Sequence, residues 1–86
     1  MNFTKQSLKA MVIKVFENGC SLGNYEMVAL VEAFEDLRQL KEGTDAEMFK
    51  TAHTMLLGAL NFLAAAHRIT EEQNAQLVNL AYQIDG

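Results

Sequence analysis

Thr44 to Arg68 reads TDAEMFKTAHTMLLGALNFLAAAHR, and this stretch decides the fold. Thr44-Asp45-Ala46-Glu47 has the form of a capping box, in which the first and fourth side chains satisfy the unpaired amides of a helix start. At 100° per residue, Glu47, Lys50, Thr51, Thr54, Gly58, Asn61, Ala65 and Arg68 fall on one narrow polar or small strip. The rest of the circumference is apolar or histidine. A surface helix needs an apolar arc of only about 100°. The stretch therefore reads as a long third helix, about 45–68, that sits centrally against two or three neighbours or also faces another chain. Ala52, Ala59 and Ala66 recur every seven residues and would let a neighbouring backbone approach, by preference inside the bundle. Gly58 in mid-helix costs about 1 kcal/mol relative to alanine, which suggests close packing against another helix.

Working outward, the flanking segments carry their own punctuation. Thr70-Glu71-Glu72-Gln73 is a second capping-box pattern and opens a last helix with Leu77, Leu80, Ala81 and Ile84 facing inward. Upstream, a helix from Tyr25 to Glu42 has Asn24 as its cap and Gly43 as its stop. Its buried stripe is Met27, Leu30, Val31, Phe34 and Leu37. A first helix runs from Lys5 to Glu17, capped by Thr4 and stopped by Asn18-Gly19, with Leu8, Met11, Val12 and Val15 on one side. The chain has no proline and only five glycines, as expected of helices joined by short connections. The expectation is one all-α domain over 1–86, a compact four-helix bundle with helix three central. A three-helix core with a loosely docked first helix, or a dimer completing its core through helix three, are the alternatives.

Composition narrows function more by exclusion than by motif. Eleven acids against seven bases give a net charge of −4, the wrong sign for a protein that relies on phosphate contacts. The longest near-apolar run, Met55 to Ala66, is too short for the roughly 20 residues of a membrane span. No apolar leader with a cleavage site follows Met1, and the lone Cys20 fits a reducing compartment, so a soluble cytoplasmic protein is expected. Cys20 is read as a small apolar residue.

Nothing marks the chain as an enzyme, and neither a catalytic, a metal nor a cofactor-binding constellation is identified. His53 and His67 lie about 21 Å apart along the helix and cannot share an ion within one chain. Both are read as structural histidines on the apolar side of helix three, His67 in its last turn. Asn18-Gly19-Cys20-Ser21-Leu22-Gly23 lacks the Gly-Lys-Ser/Thr ending of a phosphate loop. Helix–turn–helix DNA binding is disfavoured, because helix two offers Glu26, Glu32, Glu35, Asp36 and Glu42 against Arg38 and Lys41.

One surface stands out. Wheel geometry brings Tyr25, Val28, Glu32, Glu35 and Asp36 together on the outward face of helix two. Carboxylates beside an aromatic and a valine make a docking patch for a protein partner with a basic surface, unless the helix 1–2 loop covers Tyr25 and Val28. The leading expectation is a small protein-binding module. Short helical chains of this kind often serve phages and other mobile elements as accessory or counter-defence proteins, so an inhibitor or regulator of a host protein complex fits that class. A homo-oligomeric structural or adaptor protein, a homodimer through helix three, is the second reading. A ligand binder with a pocket between helices is the third.

Overall fold

The computed structural model describes residues 3–86, and among these the chain forms helices and no strand. They are α1 (Lys5–Val15), α2 (Asn24–Glu42), α3 (Ala46–Ala65) and α4 (Glu71–Asp85). The four pack as a bundle about 36 × 24 × 21 Å in extent.

Each start has a side chain or backbone reason. Thr4 Oγ1 accepts the Ser7 amide and Ser7 Oγ accepts the Thr4 amide, both at 3.0 Å. Thr70 and Gln73 repeat this reciprocal box at 3.0 Å in each direction. Two caps are shifted by one residue from the expected positions. Gly23, not Asn24, caps α2, and its amide donates to Glu26 Oε1 at 2.9 Å. Asp45, not Thr44, caps α3, with its carboxylate accepting the Met48 amide at 3.0 Å. At α3 the cap side chain satisfies a first-turn amide, whereas at α2 the Glu26 carboxylate reaches back to the amide of the cap residue.

α2 ends at Glu42 as expected, but α1 and α3 are shorter than the sequence suggested. α1 stops at Val15: Phe16, which continues the buried row of Leu8 and Val12, caps the helix with its amide donating to Ile13 O at 3.0 Å. α3 stops at Ala65. His67 takes a left-handed backbone at φ +59°, its amide donates to Ala64 O at 3.0 Å, and the Arg68 amide donates to Leu63 O at 2.8 Å. This is the six-to-one and five-to-two pattern that closes a helix, usually around glycine. His67 therefore lies past the helix end and is exposed, not on its apolar side as expected. A side chain in this conformation is strained by roughly 1–2 kcal/mol. His67→Gly is expected to raise stability by about 0.5–1 kcal/mol, since glycine's larger unfolded-state entropy offsets part of the relief. An unchanged or lowered melting temperature would count against it.

The core gathers Leu8, Val12, Leu30, Phe34, Leu37, Leu56, Leu60, Leu77, Leu80, Ala81 and Ile84 from all four helices. Phe3, Leu22 and Ile69 seal it from the connections. The contact pattern qualifies the expected central place of helix three. α3 touches two neighbours, α2 and α4, whereas α2 and α4 each touch all three others. Its surplus of apolar arc is consequently turned outward. Gly58 shows this directly: nothing lies within 4 Å of the place a Cβ would occupy, so the expected close approach of a neighbouring helix is absent within the chain. Gly58→Ala should raise stability by about 1 kcal/mol at low micromolar protein, from helix propensity alone. A fall in melting temperature would contradict the open surroundings of this position.

His53 has a place in the packing. It is buried, its Nε2 lies 3.2 Å from the Ala81 carbonyl, and a carbonyl can only accept, so the ring nitrogen donates. The Tyr82 ring meets it edge-on at 5.1 Å and the Phe49 ring lies 5.7 Å away. These contacts tie α3 to α4.

Candidate functional site

The face built by α1 and α2 carries the residues singled out from the sequence. Tyr25, the second residue of α2, is 93% exposed, and Val28 one turn later is 55% exposed. Glu32 and Asp36 are exposed on the same side. The helix 1–2 loop covers neither Tyr25 nor Val28. That loop is drawn to the opposite side, where Gln73 Nε2 donates to Gly19 O at 2.9 Å and Arg68 donates to Ser21 O at 3.3 Å and pairs with Glu26.

Glu35 does not share the outward face. It is buried at 9% exposure, and Arg38 holds it from two directions, with Nε 2.9 Å from one oxygen and Nη2 2.6 Å from the other. Gln39 adds a longer contact at 3.4 Å, and Arg38 reaches Glu42 at 3.0 Å. The wheel placed Glu35 on the outward face with the others, but in the fold it is drawn into the α1–α2 groove beside Lys5 and Leu8. The Arg38 hydrogen bonds hold the Glu35 carboxyl below its ordinary range, against the opposing effect of burial. Glu26 is lowered too, first by the hydrogen bond from the Gly23 amide and then by Arg68.

Between the two helices runs a groove of about 470 Å³. Leu8, Met27 and Val31 form its apolar floor, Lys5, Lys9 and Ile13 its α1 wall, and Val28, Glu32, Asp36, Gln39 and the buried Glu35 its α2 wall. The face is thus not simply acidic, as the α2 sequence alone suggested, because α1 sets two lysines across from the carboxylates. Tyr25 stands outside the groove, beyond its Val28 end. An apolar floor inside a rim of both charges is the layout of a protein-binding surface, where the rim sets register and the centre supplies affinity.

The surplus apolar side of helix three, expected from the sequence as a second surface, resolves to particular residues. On α3, Met48, Met55 and Phe62 are 56%, 70% and 71% exposed. They recur every seven residues, and that recurrence was the available signal. Cys20 is exposed in its loop and not buried as a small apolar residue, with Sγ 3.5 Å from Leu22 O.

Among the described residues no three His, Cys, Asp or Glu side chains are grouped to hold a metal ion, and no helix is long and apolar enough to cross a membrane. No family model, curated protein or solved structure matches the chain. The functional reading therefore rests on surface chemistry.

Proposed function

We infer that this chain is a non-enzymatic protein-binding module that acts by covering a surface of a partner protein with its α1–α2 face. The observation that carries this reading is Tyr25, an almost fully exposed aromatic one helical turn before Val28, the exposed valine that lines an apolar-floored groove. Aromatic side chains are enriched among the few residues that dominate interface affinity, because they bring large contact area with few rotatable bonds. The partner that fits presents an apolar side chain to the groove and a basic group towards Glu32 and Asp36. Occlusion of that partner's own contacts makes the module an inhibitor or regulator.

The test places a photo-crosslinking residue at Val28 and, as a control, at Glu72 on α4. Irradiation in the native cell should give one discrete adduct from position 28 and none from position 72. Tyr25→Ala should accelerate dissociation of that complex, and Glu32→Lys with Asp36→Lys should slow association and change its salt dependence. Adduct formation that is indifferent to all three substitutions, in chains shown to be folded by circular dichroism, would refute this reading.

A further inference from the structure

We propose that the outward face of α3 pairs antiparallel with α3 of a second copy of this chain. The surface is independent of the α1–α2 groove. From Thr51 to His67 the sequence holds no Asp, Glu, Lys or Arg, yet this is the helix that turns much of its circumference to water. Met48, Met55 and Phe62 form an exposed ridge, and three residues after each comes a small exposed one: Thr51, Gly58 and Ala65. Large at one seam position and small at the other is a heptad pattern whose self-fit depends on direction.

Antiparallel, every layer matches a large residue with a small one. Met48 faces Ala65 of the second copy, Met55 faces Gly58, and Phe62 faces Thr51. The flanking Thr54 and Asn61 then come close to one another across the seam. Parallel, the same ridge would set Phe62 on Phe62 and Gly58 on Gly58, alternating collisions with gaps. The antiparallel arrangement also sets each helix N-terminus beside the partner's C-terminus, which suits the helix dipoles. It gives Gly58 the steric reason that the single chain lacks.

The ridge runs about 21 Å along the helix. With the small residues beside it, it exposes several hundred Å², roughly the tenth of the 5796 Å² total surface that protein partners commonly give up. That is the small end of stable interfaces, so the dimer is weak, reversible and governed by concentration.

Sedimentation equilibrium from low micromolar to millimolar chain should show the mass rise from 9.6 kDa towards twice that value. Phe62→Asp should weaken association at least tenfold while the circular dichroism spectrum stays helical. Gly58→Leu is the sharper variant: it adds apolar surface at an exposed helix position, yet should also weaken association tenfold or more by filling the space of the second copy's Met55. In a Cys20→Ser background, a mixture of Met48→Cys and Ala65→Cys chains should form the mixed disulfide on air oxidation, with little of either like pair. A wild-type mass that stays at 9.6 kDa at every concentration leaves the ridge to a different protein and overturns the proposal. So would dimerisation that survives Phe62→Asp, Gly58→Leu that tightens it, or a dominant disulfide between two Met48→Cys chains.

Discussion

Phe34→Ala should remove most of the stability of this domain. Phe34 has no exposed surface and is the largest fully buried side chain, at the place where α2 meets the other helices. Truncating a phenylalanine in a core costs about 3–5 kcal/mol, from lost transfer energy and the cavity left behind. At roughly 0.05–0.15 kcal/mol per residue, a chain of this length has about 4–13 kcal/mol in all, and small domains sit low in that range. Urea unfolding followed by circular dichroism should therefore show the midpoint collapse or a chain unfolded in water. Phe62→Ala provides the contrast. The same chemistry on the exposed α3 ridge should leave stability within about 0.5 kcal/mol at low micromolar concentration. A loss below about 2 kcal/mol at Phe34 would show that the surrounding helices close over the cavity and that the core is more plastic than the packing implies.

Charge reversal separates three carboxylates that the sequence treats alike. Glu32→Lys and Asp36→Lys act on exposed positions and should change stability by less than about 0.5 kcal/mol. Glu35→Lys sets an ammonium against the Arg38 guanidinium in a site where the two native side chains are only 11% and 18% exposed. Losing one partner of this part-buried pair while adding a like charge should lower stability clearly more than either exposed reversal, with solvent screening holding the loss below that of a fully buried pair. The same pair sets an acid dependence. The folded Glu35 carboxyl titrates below its ordinary 4.5, so its contribution is complete above that pH and is lost as the pH falls through the folded value. Glu26 acts in the same direction. Wild-type melting temperature should drop on acidification below about 4.5, and Glu35→Gln should flatten part of that drop. Equal tolerance of all three reversals would mean that Glu35 and Arg38 are not held together in solution.

Helix number, order and most core-facing positions were legible because they depend on local rules, although Met11 of the α1 stripe is exposed. Leu77, Leu80, Ala81 and Ile84 lie inward for the same reason that periodicity selected them. What escaped depends on neighbours. Glu35 is hidden by α1, which no property of α2 announces. Gly58 carries a real propensity cost, but the missing Cβ has no counterpart within one chain. His67 ends α3 in a conformation usually left to glycine, so its residue type does not mark the stop. Of the proposed binding face, Tyr25, Val28, Glu32 and Asp36 were grouped correctly on one side of α2, whereas the lysines opposite come from a helix whose orientation the sequence does not state.

The side chains that draw the helix 1–2 loop to the corner between α3 and α4 have a consequence for how the molecule opens. Gln73 and Arg68 grip backbone carbonyls at Gly19 and Ser21, which lie 54 and 47 residues earlier in the chain. A connection of this length would otherwise be free to exchange its amides by small local fluctuations. Fastened to the far hairpin by these two bonds, it is coupled in its motion to that corner. The two halves of the chain are thus latched at one end by side chains as well as by the shared core.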